Sequence, residues 1–480
     1  MQFRMRAPAI DFAQLRADMD IETEFSADAE AQAAAVTDRF AADRVDRTDL
    51  ELVTIDPPGS KDLDQALRVV PKTAGQRGSD GDGFLVYYAI ADVAALVEPG
   101  SPIDIESRRR GQTIYFPDGS VPLHPRALSE GAGSLLGDQT RPAVLWTIDV
   151  GPDGGTRSVH VERALVRSRA RLDYAGVMAD VKANTLHPAI SAFPDFGRTR
   201  LAWSLARGAV HLDLPDQEIV PHEPGRAWTL QIAPRTPADQ WNAQVSLLVG
   251  MAAGQIQVDA GIGLLRTLPP ASEAAITELR RTAKHLKIGW PEGATPGEFL
   301  STLEPDAPTT LALMTVGAHL MRGAGYLSLN ETTAAESPAK LGHAGVGGIY
   351  AHVTAPLRRL ADRYATEVCL AVTAGSEVPG WVREVLPKLP ETMSSSDALA
   401  SKAERQSVDL TEAVVLADQV GTKFDAVVMR AENGKRPAEI FIDTPAIVAK
   451  CANAPAPGTE CAVEVTAADP SIPKVTFRAV

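Results

Sequence analysis

The sequence predicts an α+β protein in which a large mixed domain lies between a short helical segment and a small β-barrel. Residues 1–46 have a helical texture, and residues 47–417 show β-branched and aromatic runs followed by apolar helical runs. Residues 418–480 return to short strands separated by turn residues. A chain of 480 residues is too long for one ordinary hydrophobic core, so several structural units are expected.

The composition excludes several classes of protein. The hydrophobic fraction of 45% and the charged fraction of 22% are typical of a globular protein. We expect no membrane association, because the chain has no signal peptide and no run of about 18 apolar residues. The three cysteines form no C-x-x-C pair, which argues against disulfides and structural zinc and predicts a cytoplasmic protein. The net charge of −14 argues against a non-specific nucleic-acid coat but is compatible with an enzyme that has one basic channel.

The individual elements follow from these patterns. In the N-terminal segment, Ser26 and Asp28 are candidate N-caps of an Ala-rich helix that extends to Phe40. β-branched and aromatic runs predict strands at 51–55, 84–90, 143–150 and 158–166. Helical spacing of apolar residues predicts helices at 245–256, 272–286, 309–320, 360–373 and 394–417. Short strands at 424–429, 438–442, 460–465 and 475–477 predict a C-terminal barrel of the OB type.

Three aspartates directly after the first predicted strand form a candidate metal site. Asp62 and Asp64 are two residues apart, so they point to the same side of an extended chain, and the preceding Pro-Pro-Gly turn can fold Asp56 back toward them. Three converging carboxylates favour a divalent cation, and ligation by oxygen alone favours Mg²⁺ or Mn²⁺ over zinc. The alternative is a solvated loop in which these residues only form a turn, and the spacing alone does not decide between the two.

Residues 54–67 (TIDPPGSKDLDQAL) closely resemble the signature of the ribonuclease II and R family, the RNB-domain exoribonucleases. Similar blocks follow in the same order along most of the chain: 88–93 (YAIADV), 110–117 (RGQTIYFP), 121–125 (VPLHP), 166–174 (VRSRARLDY) and 350–359 (YAHVTAPLRR). The resemblance implies that residues 47–417 form an RNB-type catalytic domain and that 418–480 form an RNA-binding barrel. It further implies a Mg²⁺-dependent enzyme, with Mn²⁺ as an alternative ion, that hydrolyses single-stranded RNA from its 3′ end to nucleoside 5′-monophosphates.

The same resemblance implies the catalytic residues. Asp56, Asp62 and Asp64 match the family's metal-binding aspartates, which would activate a water molecule for attack on the terminal phosphodiester. Arg358 matches the arginine that would hold the scissile phosphate and offset charge on its oxygens in the transition state. The alternative for Arg358 is a solvated arginine at the start of a helix.

Other matched positions imply contacts with RNA. Tyr115 matches an aromatic residue that stacks on the 3′-terminal base, although a tyrosine in a β-type stretch is often a core residue. Arg359 adjoins the catalytic arginine and is a second candidate RNA-binding residue. Glu404 would contact the 3′ ribose or, as an alternative, form a surface ion pair. For His343 and His352 the pattern favours packing and hydrogen bonding over metal ligation.

Two departures from the family pattern affect the functional hypothesis. Gln65 stands where the family has a fourth aspartate; its carbonyl can ligate Mg²⁺ but carries no charge, so one metal subsite is expected to be weaker. Gln244 stands near a position where an acidic residue is expected. Family members also usually carry two cold-shock-type domains ahead of the catalytic domain, and 46 residues cannot encode one. We therefore expect a short form with weaker RNA binding and lower processivity.

Three functions remain to be compared. The first is an active exoribonuclease, which we expect to act as a monomer on single-stranded RNA because no protein partner is implied. The second is a catalytically weakened RNA-binding or regulatory protein of the same fold, motivated by Gln65 and the short N-terminal segment. The third is a metal-dependent phosphohydrolase with another substrate, against which Tyr115 and the barrel argue.

Overall fold

A computed structural model describes residues 10–72, 82–223, 227–233, 235–305, 307–330, 338–434 and 436–480. The predicted loop at 75–83 lies largely outside the described residues. The α-helices are α1 (Phe12–Asp18), α2 (Ala27–Ala34), α3 (Val93–Leu96), α4 (Pro102–Arg110), α5 (Tyr174–Ala183), α6 (Phe193–Ala206), α7 (Pro237–Ala260), α8 (Glu273–His285), α9 (Pro296–Ser301), α10 (Pro308–Gly317), α11 (Pro338–Leu341), α12 (Leu360–Thr373), α13 (Gly380–Val385) and α14 (Leu389–Leu416).

The strands of the first half are β1 (Val45–Asp46), β2 (Leu52–Ile55), β3 (Gln65–Pro71), β4 (Phe84–Ala91), β5 (Ile114–Phe116), β6 (Gly119–Val121), β7 (Thr140–Val150), β8 (Thr156–Leu172), β9 (Gln217–Glu223) and β10 (Ala227–Ile232). Those of the second half are β11 (Gly263–Thr267), β12 (Gly325–Leu329), β13 (Gly342–His343), β14 (Gly348–Ile349), β15 (Lys423–Arg430), β16 (Ala438–Ile442), β17 (Ile447–Ala452), β18 (Glu460–Asp469) and β19 (Lys474–Ala479). The α+β class is thereby confirmed.

The central sheet curls round so that its longest strand, β8, also pairs with the last strand of the sheet. Its order is β1-β8-β2-β3-β4-β7, and β8 pairs with β7 as well. The first part of β8 is antiparallel to β7, whereas its last residues run parallel to β2. One face of the sheet buries Val86 and Trp146 against Trp241 and Leu248 of α7. Burial of such large apolar side chains is the main stabilising contribution to this domain.

The ends of three strands lie close together at one end of this sheet. β2 and the parallel end of β8 finish there, and the antiparallel β3 begins there. The backbone N–H of Asp56 donates to the carbonyl of Leu172 at 3.1 Å, so the loop after β2 is joined to the end of β8. Helix α12 packs against α7 and begins directly after the predicted arginine motif. Residues 56–64, which we call the acidic loop, and residues 350–359, which we call the arginine motif, therefore belong to one region of the fold.

The N-terminal helices are shorter than predicted. Ser26 caps α2, since its side chain accepts a hydrogen bond from the backbone N–H of Ala29. The helix ends at Ala34 rather than at Phe40. The reason is local: Asp38 accepts a hydrogen bond from the N–H of Phe40 at 3.0 Å and so competes with helix formation.

The C-terminal strands form a closed barrel with the order β15-β16-β17-β19-β18, which confirms the predicted OB-like unit. The sequence prediction missed β17, in which the inward positions include the small residues Ala449 and Cys451. It also missed β3, which follows the acidic loop without a separating turn.

Leu416 of α14 packs into the barrel core with Val428 and Phe477, so this helix is anchored in the barrel. Among the described residues, no helix combines the length and apolar character needed to cross a bilayer.

A buried carboxylate joins α14 to the barrel and gives the first testable prediction. Glu412 accepts hydrogen bonds from the side chain of Gln217 at 2.7 Å and from the N–H of Val448 at 3.1 Å. Burial raises the pKa of Glu412 from 4.5 to about 7. The folded protein therefore binds the carboxyl proton of Glu412 more tightly than the unfolded chain does. The free energy of unfolding should decrease as the pH rises from about 4.5 to about 7.

We expect Glu412→Gln to remove this loss, because glutamine keeps an acceptor oxygen and carries no charge. The variant should match the native protein near pH 4.5 and exceed its unfolding free energy by up to roughly 3 kcal/mol above pH 7. Denaturant unfolding at several pH values measures the difference, with the exposed Glu460→Gln as a matched control. A constant difference between the Glu412 variant and the native protein across this range would contradict the prediction.

Candidate active site

The acidic loop connects β2 to β3 and is held in place by its own backbone. Pro58 and Gly59 form a turn closed by the N–H of Ser60, which donates to the carbonyl of Pro57 at 3.3 Å. Gly59 has a φ of 92°, a value that favours glycine at this turn position. The turn reverses the chain after Asp56, as the sequence predicted.

Ser134 fixes the second half of the loop. Its hydroxyl donates to the carbonyl of Lys61 at 2.7 Å and accepts a hydrogen bond from the N–H of Leu63 at 3.0 Å. The N–H of Leu135 donates to the carbonyl of Leu63 at 2.9 Å. Because the backbone on both sides of Asp62 is held in this way, its carboxylate is presented toward solvent on a rigid support.

Asp64 and Arg358 meet at the centre of the site. Asp64 is buried, with 3% of its surface exposed, and its Oδ2 lies 3.4 Å from Nε of Arg358. Its Oδ1 accepts a hydrogen bond from the N–H of Leu357 at 2.7 Å. The Arg358 side chain keeps 47% exposure, so part of the guanidinium is available to a ligand. The structure therefore brings together two residues that the sequence placed in separate motifs.

The carboxylates of the site perturb one another. Burial raises the pKa of Asp56 to about 6, an increase to which Asp62 adds and which Arg358 and Arg171 oppose. Burial raises the pKa of Asp64 to about 8, and Arg358 again opposes the rise. Desolvated carboxylates close to one another need positive charge to remain ionised, so the site is suited to bind a cation.

Gln65 contacts the segment that carries Arg358, and its role as a metal ligand stays a prediction. Its side-chain Nε2 donates a hydrogen bond to the backbone carbonyl of Thr354. Thr354 begins the loop of residues 354–359, which we call the arginine loop. The contact thus joins the first residue of β3 to the segment that carries Arg358.

Arg359 is held differently from its neighbour. Its Nε and Nη2 donate to the two carboxylate oxygens of the fully buried Asp362 at 3.0 and 2.8 Å. Asp362 Oδ1 also accepts a hydrogen bond from the N–H of Ala355 at 2.7 Å. The structure assigns Arg359 a bidentate ion pair with Asp362, and its contact with RNA stays a prediction.

Tyr115 projects from the hairpin of β5 and β6 beside the acidic loop. The tyrosine is 51% exposed, and its hydroxyl donates to Oδ2 of Asp62 at 3.2 Å. Helix α1 holds the hairpin through a bidentate ion pair in which Arg16 contacts Asp118 at 2.6 and 2.8 Å. The Arg16 guanidinium also lies 5.0 Å from the ring centre of Phe116. Tyr115 is therefore a surface aromatic on a supported hairpin rather than a core residue.

Two cavities lie on either side of Tyr115. The first, of about 290 Å³, contains Asp62 and residues of the acidic loop. The second, of about 640 Å³, is lined by Glu404, Gln112 and Arg266 as well as by Tyr115. Glu404 is exposed on α14 and lines the second cavity together with Tyr115.

Sequence reasoning missed further residues near Asp56. The charge of Arg171 acts on Asp56, and its side chain is exposed. Tyr174 also interacts electrostatically with Asp56, and its hydroxyl accepts a hydrogen bond from Nδ2 of Asn242 at 3.2 Å. Arg171 and Tyr174 lie in the block 166–174, so the resemblance could have identified them. Asn242 gave no sequence signal.

The two histidines pack among aromatic rings. Nδ1 of His352 shares a hydrogen bond with the hydroxyl of Tyr326 at 2.7 Å, and its ring meets that of Tyr350 edge to face. His343 also contacts Tyr350 edge to face. Burial lowers the pKa of His343 to about 4. These contacts agree with the packing and hydrogen-bonding roles that the sequence favoured.

The donor set of the acidic loop fits Mg²⁺ or Mn²⁺ in its chemistry, because it offers carboxylate oxygens. Burial raises the pKa values of Asp56 and Asp64, and a nearby cation would favour their ionised forms. In the part of the chain that the structure describes, no three His, Cys, Asp or Glu side chains are already arranged around one ion position. The side chains would have to turn toward one another to share a cation.

Two protein-family models match this chain. The first, RNB domain, matches residues 44–373, and the second, RNase II-type exonuclease C-terminal S1 domain, matches residues 422–480. Ribonuclease R of Escherichia coli (strain K12) is 27% identical over 417 residues, which cover 82% of this chain and 49% of that protein. Exoribonuclease 2 of Sodalis glossinidius is 30% identical over 232 residues, or 46% of this chain and 35% of that protein. The chain spans about half the length of the ribonuclease R that it matches.

Solved structures share the fold. RNase R of Mycoplasma genitalium in complex with ribose-methylated single-stranded RNA has a TM-score of 0.85 at 20% identity, and the match covers 98% of this chain and 78% of that one. Yeast Ssd1, described as a pseudonuclease, has a TM-score of 0.66 at 17% identity, and its match covers 86% of this chain and 51% of that one. The same fold therefore occurs in an RNA-bound nuclease and in a protein described as a pseudonuclease.

Proposed function

This chain belongs to the RNB-domain family, and from that premise we propose that it is a metal-dependent 3′→5′ exoribonuclease that converts single-stranded RNA to nucleoside 5′-monophosphates. The observation that carries the proposal is the meeting of Asp64 and Arg358, at 3.4 Å, beside an exposed Tyr115. An acidic cluster and a half-exposed guanidinium suit phosphodiester hydrolysis, and an exposed aromatic ring suits binding of a single strand.

Asp56, Asp62 and Asp64 would hold the divalent ion in this proposal. A bound Mg²⁺ or Mn²⁺ supplies a more acidic water molecule and neutralises charge on the phosphate. The aspartates would hold that ion in place, and the exposed part of the Arg358 guanidinium would donate to the oxygens of the scissile phosphate. Arg358 is fixed at its backbone carbonyl by the N–H of Thr113 at 2.9 Å, so the donor is held in place before RNA arrives.

Arg171 is a further candidate for contact with RNA. It is exposed beside Asp56, at the end of β8, and its positive charge is directed at the same region as that of Arg358. Exposed arginines next to an acidic metal site are suited to phosphate groups that approach the site. We propose that Arg171 contacts the backbone of the RNA near its 3′ end.

Tyr115 gives a prediction for binding. Tyr115→Ala should weaken binding of single-stranded RNA about 5- to 150-fold, because stacking contributes roughly 1–3 kcal/mol per base. Tyr115→Phe keeps the ring and removes only the hydrogen bond to Asp62, so its affinity should stay within about 3-fold of the native value. Fluorescence anisotropy with 5′-labelled RNA in Mg²⁺-free buffer measures both. Equal losses in the two variants would show that the hydroxyl, and not the ring, binds RNA.

Asp64 contacts Arg358 and Tyr115 contacts Asp62 within a single chain, so one copy of the protein carries the residues proposed for the reaction. We therefore expect a monomer to be active. Cys369 and Cys451 are buried free thiols, which suits a reducing compartment such as the cytoplasm.

A second candidate function is RNA binding without hydrolysis. The observation that favours it is the side chain of Gln65, which is engaged with Thr354 instead of adding a fourth carboxylate to the cluster. The likeness of the fold to that of a protein described as a pseudonuclease supports considering this candidate. The two candidates differ in whether bound RNA is shortened.

Labelled substrates test the proposed reaction. With Mg²⁺, a 3′-labelled single-stranded RNA should release its label as a nucleoside 5′-monophosphate in the first turnover, whereas a 5′-labelled RNA should give a ladder of shortened products. A DNA strand of the same sequence should remain largely intact. Release of the 5′ label first, or internal cuts without a ladder, would contradict the proposal, and equal cleavage of DNA would favour a broader phosphohydrolase.

A further inference from the structure

We infer that Gln65 is a positioning residue whose side-chain amide tethers the arginine loop and thereby sets the position of Arg358. The inference rests on the proposed function, because it concerns the arginine that would bind the scissile phosphate. This role is an alternative to the metal ligation that the sequence predicts for Gln65.

The contact begins on a rigid support. Gln65 is the first residue of β3 and pairs with Ile90 of β4, so its backbone is fixed within the central sheet. Its Nε2 donates to the backbone carbonyl of Thr354, the first residue of the arginine loop. A strand residue that donates to a loop carbonyl limits the distance between the sheet and that loop.

Two further anchors act on the same loop. Asp64 accepts a hydrogen bond from the N–H of Leu357 at 2.7 Å, and Asp362 accepts one from the N–H of Ala355 at 2.7 Å. Together with Gln65, these residues hold the backbone at 354, 355 and 357 from the sheet on one side and from α12 on the other. The backbone on the N-terminal side of Arg358 is therefore fixed at three points, while its guanidinium remains half-exposed.

The chemistry of the tether requires an amide. Thr354 offers a carbonyl oxygen, which only accepts hydrogen bonds, so the group facing it must be a donor. A carboxylate at position 65 would place two acceptors against each other and would lose the contact. The positioning role therefore predicts that Gln65→Asp releases the loop, whereas a metal-ligand role predicts that the same change strengthens metal binding.

Amide hydrogen exchange tests the tether without any need for catalysis. Exchange of residues 352–360 should be faster in Gln65→Ala and Gln65→Asp than in the native protein, because loss of one anchor eases local opening. Gln255→Ala, which removes an exposed glutamine of α7, is the matched control and should leave this segment unchanged. Unchanged exchange of 352–360 in both Gln65 variants would overturn the inference.

A double-mutant cycle tests whether Gln65 acts through Arg358. Gln65→Ala should lower kcat about 10- to 100-fold with little change in KM, as expected when a donor to the phosphate is misplaced. In the Arg358→Ala background the same substitution should have an effect below about 2-fold, because the residue through which it acts is absent. Gln65→Glu, which has the same length but no donor, should behave like Gln65→Ala.

The outcomes separate the inference from the proposed function. If the native protein does not shorten RNA, the proposed function fails and the exchange experiment alone decides the tether. If Gln65→Asp raises activity and lowers the Mg²⁺ concentration for half-maximal rate, Gln65 acts at the metal site and the inference is wrong. The inference is also wrong if Gln65→Ala lowers kcat as strongly in the Arg358→Ala background as it does in the native protein.

Discussion

Replacing Asp64 by asparagine should lower the rate of RNA shortening at least about 10³-fold while the fold is retained. Asp64 is 3% exposed and lies 3.4 Å from Arg358, so its charge acts in a largely desolvated site. Asparagine keeps an oxygen that can accept the hydrogen bond from Leu357 but cannot supply a negative charge to a metal ion.

The same substitution should not destabilise the protein. Burial already raises the pKa of Asp64 to about 8, so ionisation of this side chain in the metal-free protein is unfavourable, and a neutral amide removes that cost. Single-turnover cleavage and thermal unfolding measure the two effects separately, with the exposed Asp49→Asn as a control for an altered charge. A variant at Asp64 that retained native activity would show that this carboxylate has no part in the reaction.

Arg358→Ala has the second largest expected effect, a decrease in kcat of about 10²- to 10³-fold. The guanidinium is the half-exposed donor next to Asp64, and its charge opposes the raised pKa values of Asp56 and Asp64. Arg358→Lys should recover only part of the rate, because an ammonium group cannot make the bidentate contact of a guanidinium with a phosphate. Steady-state kinetics on a short RNA should place most of the loss in kcat rather than in KM.

The neighbouring arginine provides the contrast. Arg359→Ala removes the ion-pair partner of the fully buried Asp362, so it should lower the unfolding temperature, whereas Arg358→Ala should leave that temperature nearly unchanged. Equal losses of kcat and equal stabilities in the two variants would contradict the division of roles between these arginines.

Much of the site could be predicted from the sequence because its residues lie in motifs. The turn after Asp56 follows from Pro58 and Gly59, whose backbone preferences are local. The resemblance assigned Asp64 and Arg358 to one active site but did not predict that Asp64 contacts Leu357, which is 293 residues away. A contact between residues so far apart in the sequence follows from no local sequence pattern, so only the folded structure shows it.

The role of Gln65 could not be predicted in the same way. Its partner is the backbone carbonyl of Thr354, and a backbone group leaves no mark in the sequence. The sequence analysis separated Arg358, the candidate catalytic arginine, from Arg359, a candidate RNA-binding residue. It did not predict the ion pair of Arg359, although Asp362, three residues further on, was a visible signal for one. β3 was missed because it directly follows the acidic loop. β17 was missed because its inward positions include the small residues Ala449 and Cys451.

Hydrolysis by this site, as opposed to binding alone, is the central claim. The most direct test follows binding and length of a 5′-labelled single-stranded RNA in the presence of Mg²⁺, with the native chain and with Asp64→Asn in parallel. We predict that the native protein gives a ladder shortened from the 3′ end, and that the variant binds the RNA without shortening it. RNA that both proteins bind and neither shortens would contradict the claim and would establish the chain as an RNA-binding protein.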